Sequence, residues 1–476
     1  MNTSRREFLG LSLGAAALAG CAGPKAFWGA GCAAPMQGFA CAPLKEIRVG
    51  VVGVGMRGWR AVRRLSMLPN VKVAAMCDLF ADRLAKEQAW LKENNRPPAA
   101  EYVGPEAYKA LCDSDGVDVV YNCTPWQVHV EIGLYALRAG KHSLIEVPAA
   151  MTVDDCWELV ETAEKTKLHC MQLENCCYGE EELLAISLCR HNVLGTLTHA
   201  ECAYIHDRRQ GIFNDEYPDH WRMKWNIDHA GNQYPTHGLV PACQCLDVNR
   251  GDRMDYLVSM DSLGGAYEEY AKEVFGEATK DAWKRDVKFK MANMNNTLVR
   301  TAKGRTILIQ HDVATARPYS RIDLVSGTKG IFCGFPMRIH AETEGMPKAQ
   351  HHTQFDPEMT ERLRKEYEHP LWKTANKIAA EVGGHGGMDY IMDLRWAYCM
   401  QQGMPLDMDV YDLATTCSIC ELSEKSVGRR SAPVDVPDFT RGGWEYATPL
   451  GLVDVDLEKM GFSRDRIVSG AAEMKI

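Results

Sequence analysis

Short β-branched runs alternate with stretches of 3.6-residue periodicity along the first third of the chain. Ile47-Arg48-Val49-Gly50-Val51-Val52 predicts a strand buried on both faces, as in a parallel sheet. The pattern from Trp59 to Leu68, stopped by Pro69, predicts a helix. Val71 to Cys77 predicts a second strand and Val117 to Cys123 another. A helix then runs from about Gln127 to Ala139, capped by Gly140, and the strand His142 to Ile145 follows. This order predicts an α/β unit with a doubly wound parallel sheet over 45–170. From Met171 the alternation lapses. Leu197 to Tyr204, Asn296 to Thr301 and Thr306 to Asp312 read as strands joined by long polar segments, so 171–476 is expected to be an α+β domain.

The first 44 residues stand outside these patterns. Arg5-Arg6 precedes an apolar run from Leu9 to Ala19, which resembles a twin-arginine export signal. That run is too short, and too rich in Gly and Ala, to span a bilayer permanently. Leu18-Ala19-Gly20-Cys21 looks like a lipobox, whose Cys21 would be acylated and attach the chain to a membrane; an ordinary cleaved signal is the alternative. Residues 22–44 read as a tether. The twin-arginine route carries folded proteins, so an exported enzyme with a cofactor would leave with it already bound. Such a cofactor must be regenerated within each turnover or reoxidised by a partner.

Composition narrows the partners. The 476 residues suffice for two cores, and 46% apolar with 25% charged positions is ordinary for a soluble globular chain. A net charge of −9 without clustered Lys and Arg argues against nucleic acid and for a small, largely neutral substrate or glycan. A homo-oligomer is compatible with the sequence, which does not fix the state. The 18 cysteines are scattered, and Cys77, Cys123 and Cys170 fall in strand-like runs where Cys acts as a small hydrophobe. Cys417-Ser418-Ile419-Cys420 has CxxC spacing but no second pair, and no metal is expected.

Chemistry enters at the first turn. Gly53-Val54-Gly55-Met56-Arg57-Gly58 lies between predicted strand and helix, the context a dinucleotide fingerprint needs. Gly53 allows the tight turn, Gly55 lets backbone approach a pyrophosphate, and Gly58 permits close helix–strand packing. Phosphates would sit on the helix N-terminus. Asp78 ends the second strand twenty residues beyond Gly58, placed to accept hydrogen bonds from ribose hydroxyls. It would repel a 2′-phosphate, so NAD is expected rather than NADP; Arg57, inside the loop, could instead meet a phosphate. Loops after strands line the crevice, which assigns Thr124 to His129 and Glu146 to Pro148 to the nicotinamide end. Further on, Tyr234 and His237 stand within one turn of each other, able to hold a sugar hydroxyl and move its proton.

These residues resemble the glucose-fructose oxidoreductase / inositol dehydrogenase superfamily, which joins a Rossmann domain to a C-terminal domain with an open, mostly antiparallel sheet. The superfamily's Glu-Lys-Pro is Glu146-Val147-Pro148 here, so the lysine that helps place nicotinamide and sugar is missing. Residues 45–445 resemble glycoside hydrolase family 109, the NAD-dependent α-N-acetylgalactosaminidases. The resemblance rests on the Gly53 loop, Asn122-Cys123-Thr124-Pro125-Trp126, Glu146-Val147-Pro148, Glu174-Asn175-Cys176-Cys177-Tyr178, His220-Trp221-Arg222, Gly231 to Gly238, Arg317 to Arg321 and Gly383 to Asp389. It implies transient oxidation of a bound hexosamine at C3, loss of the acidified C2 proton, elimination of the C1 substituent, water addition and re-reduction. Net redox is then zero, and no pair of carboxylates is needed. It also implies that Met56, Arg57, Asp78, Trp126, Gln127, Val128, His129, Glu146, Val147 and Asn175 contact NAD. Arg222, Tyr234, Pro235, Thr236, His237 and Tyr319 would hold the sugar, with Tyr204 lining the pocket. His237 would handle the C3 hydroxyl proton and Tyr178 would remove the C2 proton.

Two other readings stay open: an exported sugar oxidoreductase with a second sugar as hydride acceptor, and a non-catalytic, NAD-bound sugar-binding lipoprotein. His385 and Asp389 lie in a loop with four glycines and carry no assigned role. Glu180 to Glu182 is expected to be a solvated helix start. Met400, Met404 and Met408 are expected at the core or its edge.

Overall fold

The computed structural model describes residues 35–214, 217–277, 280–343, 348–350 and 352–469. The twin-arginine pair and Cys21 lie outside these. Six parallel strands form the first sheet: β1 (Ile47–Val52), β2 (Val71–Asp78), β3 (Ala100–Val103), β4 (Val119–Asn122), β5 (His142–Ile145) and β6 (Cys170–Gln172). Their order is β3-β2-β1-β4-β5-β6, with the switch point between β1 and β4. β6 pairs with β5 through Gln172, so this sheet reaches past the expected boundary at 170. Five helices connect the strands: α1 (Gly58–Leu65), α2 (Ala81–Glu93), α3 (Ala107–Asp113), α4 (His129–Arg138) and α5 (Val153–Thr166). Thr152 caps α5, its hydroxyl accepting the Asp155 N–H at 3.1 Å.

The second sheet has eight strands: β7 (Leu197–Ile205), β8 (Met254–Asp261), β9 (Asn295–Thr301), β10 (Thr306–Asp312), β11 (Leu324–Gly327), β12 (Gly330–Cys333), β13 (Arg338–Ala341) and β14 (Val434–Asp435). Its order is β13-β12-β11-β7-β10-β9-β8-β14. Every pair is antiparallel except β7 with β10. Alternation along the strands sends Ala200, Cys202, Val299, Ile307 and Ile309 inward, while Met260 and Leu298 stay exposed. Four more helices matter for the site: α6 (Glu180–Arg190), α7 (Thr236–Cys245), α8 (Met388–Gln402) and α9 (Val410–Cys417). α8 is buried almost all round, its charged Asp389, Asp393 and Arg395 included, because it runs between the halves. Tyr390, Leu394 and Trp396 share one core with Val49, Val51 and Tyr121 of the first sheet. Arg64 of α1 reaches into that core, its Nε donating to Asp393 at 2.9 Å.

Three sequence expectations need correction. Within the expected tether, residues 35–44 pack on the body: Met36 is buried, its N–H donating to the Tyr411 hydroxyl at 3.2 Å, and Leu44 N–H donates to Met400 at 3.0 Å. Glu182 is not solvated; it is buried against Arg321, whose Nε donates to it at 2.7 Å. Met400 and Met408 are core, but Met404 is exposed. All sixteen cysteines among the described residues are free thiols, most of them buried. No helix among these residues is long and apolar enough to cross a membrane.

The turn after β1 has no room for side chains. Gly53 has φ +83°, and a Cβ at Gly58 would lie 1.8 Å from the Gly53 carbonyl oxygen. Gly58→Ala must therefore shift α1 away from β1. It is expected to lower stability by about 1–3 kcal/mol or more in thermal unfolding. Gly428→Ala, with nothing within 4 Å of its Cβ, should be neutral.

The segment leading to α7 is pinned by Glu424. That carboxylate accepts from His229 Nδ1 at 2.9 Å and from Ala230 N–H at 3.2 Å, and pairs with Lys290. Burial opposes its ionisation, but these partners bring its pKa down to about 2, against 4.5 for a free glutamate. A folded pKa below the unfolded one stabilises above the unfolded value and fades as pH falls through the folded one. Glu424→Gln should therefore cost on the order of 1–2 kcal/mol at neutral pH after solvent screening. The gap to wild type should close between pH 4.5 and 2 in a series of melts.

Candidate active site

The loops after β1, β2, β4 and β5 converge on one crevice. Asp78 turns back into the glycine loop: its Oδ2 accepts the Val54 N–H at 2.7 Å and its Oδ1 the Phe80 N–H at 3.0 Å. Arg83 reaches the same carboxylate at 3.4 Å. A Cβ at Gly55 would meet only the flexible end of Arg83, so backbone there is open to a ligand. A tight turn, an open backbone edge and a fixed carboxylate at the next strand fit the pyrophosphate and ribose of NAD.

Arg57 does not face the phosphate position. Its Nε donates to Glu146 at 2.9 Å, and its Nη atoms reach Asp389 at 3.4 Å. Asp389, at the start of α8, is fully buried and also accepts from Asn175 Nδ2 at 2.7 Å and pairs with Arg64 and His385. Burial alone would raise its pKa; Arg57, Arg64 and His385 hold it well below the usual carboxylate range. The loop before it bends through positive φ at Gly383, Gly384, His385, Gly386 and Gly387. This brings the half-exposed His385 beside Arg57, Nδ1 at 3.3 Å from Nη1.

Trp126 is the hinge between the cofactor and sugar sides. Its indole N–H donates to the Val147 carbonyl at 3.3 Å, and its ring meets Tyr234 at 5.6 Å and Trp221 at 5.1 Å. Arg222 lies over Trp126 at 4.9 Å and Tyr234 at 5.1 Å while donating to the Tyr217 hydroxyl at 3.1 Å. Tyr204 packs on Tyr234 at 4.5 Å and His237 at 5.2 Å. Tyr319 closes the far side, half-exposed, its hydroxyl held by Arg321 Nη1 at 3.0 Å. The result is an aromatic pocket with one arginine, suited to stacking on a sugar and bonding its hydroxyls.

Within it, His237 Nδ1 meets Glu174 Oε1 at 2.7 Å, and its Nε2 faces the Tyr234 hydroxyl at 3.4 Å. Glu174 is fully buried. Burial would raise its pKa, but His237, the Cys176 N–H and Thr236 lower it, so it is an anion. An anion at Nδ1 fixes the ring proton there and leaves Nε2 as the acceptor.

The structure brings Tyr204, Arg222, Tyr234, His237 and Tyr319 together. Others lie differently. Tyr178 is buried in the main core with its hydroxyl donating to Asp407 at 3.2 Å, and burial with that carboxylate beside it pushes its pKa well up. In this arrangement its hydroxyl faces Asp407 and not the aromatic pocket. The 3-10 turn Asn175–Tyr178 explains this: positions three apart share a face, and Asn175 and Tyr178 both face the α8 side. Thr236 is wholly buried beside Glu174, so it supports that carboxylate rather than touching sugar. Pro235 is buried at the start of α7. Both ring nitrogens of His129 lie against loop carbonyls, Nε2 at 2.6 Å from Thr124 and Nδ1 at 2.9 Å from Pro148; burial lowers its pKa, so the neutral ring donates to one of the two and packs against the other. Gln127 is exposed and Val128 half-buried on the turn beside Trp126.

Glu174, Tyr217 and His206 were not singled out from sequence. His206 lies 5.1 Å from the Tyr319 ring and 4.7 Å from Tyr204, with its Nε2 buried and making no hydrogen bond. Burial, helped by Arg208 and Arg222, lowers its pKa to about 3, so the ring is neutral. Two-residue alternation from Tyr204 along β7 is the signal that places it on the pocket face.

Residues 47–173 match the model of an oxidoreductase family with an NAD-binding Rossmann fold, and the chain binds NAD there. Residues 178–446 match the model of the glycosyl hydrolase 109 C-terminal domain. Among solved structures, an NAD binding oxidoreductase from Klebsiella pneumoniae superposes with a TM-score of 0.62 at 16% identity, covering 83% of this chain and 100% of its own. Levoglucosan dehydrogenase in complex with NADH and levoglucosan gives 0.61 at 16% identity, with 83% and 100% covered. At such identity the likeness is one of fold. In sequence, an alpha-N-acetylgalactosaminidase from Bacteroides fragilis is 43% identical over 414 residues, 86% of this chain and 95% of that protein. A glycosyl hydrolase family 109 protein from Solibacter usitatus is 42% identical over 451 residues, 94% and 99%. Identity at this level across most of the chain, with each half matched by its own family model, makes this chain a member of glycosyl hydrolase family 109.

Proposed function

We propose that the enzyme hydrolyses terminal α-N-acetylgalactosamine by transient oxidation at C3. The observation that carries this reading is the Glu174–His237 pair set in an aromatic pocket beside the nicotinamide end of a dinucleotide crevice. NAD, when bound, supplies reversible oxidation of C3, which acidifies the C2 proton and lets the C1 substituent leave by elimination. The rest falls to the protein. Trp126, Arg222, Tyr234 and Tyr319 hold the ring. His237 Nε2 accepts the proton of the C3 hydroxyl and later returns it, while Glu174 balances the imidazolium. Tyr204 Oη is placed to take the C2 proton as a phenolate: burial raises its pKa, Arg222 and Arg208 oppose that rise, and its own proton must pass to solvent beforehand. At Tyr178 the neighbouring Asp407 adds to the effect of burial and outweighs Arg395.

Support for the sugar comes from the relative named alpha-N-acetylgalactosaminidase. We also propose export by the twin-arginine route with acylation of Cys21, supported by Arg5-Arg6 and the Leu18-to-Cys21 sequence.

Purified protein should release aglycone from an aryl α-N-acetylgalactosaminide without added NAD, and in heavy water the product should carry deuterium at C2. A steady rise of NADH would instead point to an oxidoreductase, and cleavage with an unlabelled C2 would sink the elimination. Tyr204→Phe is expected to lower kcat by about 10²–10⁴-fold, and Tyr178→Phe only a few-fold. Glu174→Gln should lower kcat by at least about 10²-fold with a smaller change in KM.

A further inference from the structure

Beneath the sugar pocket, two distant segments bring three different donors together. The Glu174 carboxylate, the Cys176 thiol and the His237 imidazole each offer an atom within 4.8 Å of the others. Glu174 and Cys176 are buried, while His237 is 15% exposed on the pocket side, which gives access from the sugar cleft. Glu174 Oε1 accepts from His237 Nδ1 at 2.7 Å and from the Cys176 N–H at 3.1 Å. Its Oε2 is buried without a hydrogen bond of standard geometry, with the Thr236 hydroxyl beside it. An ionised carboxylate, a thiol and an imidazole together make a mixed, borderline-soft donor set. The nearest guanidinium groups are already engaged, Arg321 with Glu182 and Arg222 with Tyr217 and the pocket rings.

We propose that Glu174, Cys176 and His237 form an inhibitory site for one thiophilic divalent cation of the zinc class. Ligand atoms on such a cation stand roughly 3.3–3.7 Å apart, from bond lengths of about 2.0–2.3 Å. The three donor atoms already lie within 4.8 Å of one another, so side-chain adjustment alone brings them to that spacing. On binding, the thiol proton passes to solvent, and sulfur, carboxylate oxygen and Nδ1 each give a lone pair to the metal. The ring proton moves from Nδ1 to Nε2. His237 then presents a donor where hydrolysis needs an acceptor, so the cation blocks proton removal from the C3 hydroxyl. The inhibitory role rests on the function proposed above for His237; the binding site does not.

Cobalt(II) is the probe, added to untagged full-length holoprotein. One cobalt per chain is expected, with a sulfur-to-cobalt charge-transfer band that zinc displaces. Cys176→Ser and Cys176→Ala should each remove the band and weaken zinc binding by about 10–100-fold or more. Cys420→Ser, a buried thiol elsewhere, should keep the band. In wild type, zinc should inhibit hydrolysis and a chelator should restore it. A missing sulfur band, or one unchanged in both Cys176 variants, overturns the site. A band with hydrolysis untouched at saturating zinc overturns the inhibition and, separately, the role given to His237. Should no hydrolysis be found at all, the cobalt spectra still decide the site.

Discussion

One buried carboxylate ties this molecule together. Asp389 enters the core from the start of α8 and is met by Arg57 and Arg64 of the glycine-loop region, by Asn175 from the link between the sheets, and by His385. A buried charge is tolerable only when its partners are complete, and removing any of them leaves the others unbalanced. Three stretches of chain that are far apart in sequence must therefore arrive together. The glycine loop, the segment after β6 and the start of α8 are positioned by the same set of ion pairs and hydrogen bonds.

Arg57 shows what this does for chemistry. An arginine in a phosphate-binding loop would ordinarily face the phosphate; here Glu146 and Asp389 draw it to the other side. Glu146 belongs to the loop that lacks the superfamily's lysine. Glu146 itself is a link in the ion-pair network, while the Glu174–His237 pair lies on elements beyond the first sheet. The pocket that results is ringed by Trp126, Tyr204, Tyr234 and Tyr319, and His206, held neutral, adds no charge of its own. Such a lining favours a neutral sugar.

Much of this could be read along the chain because it is local. The strand, three glycines and Asp78 lie within a few turns of one another, and their spacing alone implies the geometry. β7, β9 and β10 emerged from alternation within a residue of their ends. Tyr234 and His237 could be paired because one helical turn joins them. What stayed hidden depends on contacts between remote residues. Glu174 meets His237 sixty-three positions away, and Arg57 meets Asp389 across 332. Tyr178, given the C2 proton by resemblance alone, has its hydroxyl on Asp407, because which way each side of a short 3-10 turn looks is set by remote contacts. Met36 docking on Tyr411, 375 residues later, is equally invisible in a stretch of Ala, Gly and Pro.

The free thiols bear on where such a molecule can be built. Neighbours such as Cys176 and Cys177, or Cys243 and Cys245, are kept apart from oxidants only by being enclosed. Opened, the described part of the chain would offer many wrong cross-links and no right one, since packing rather than a covalent staple holds those residues in place. A reducing environment during assembly avoids those cross-links, and once the core has closed, enclosure protects the buried thiols.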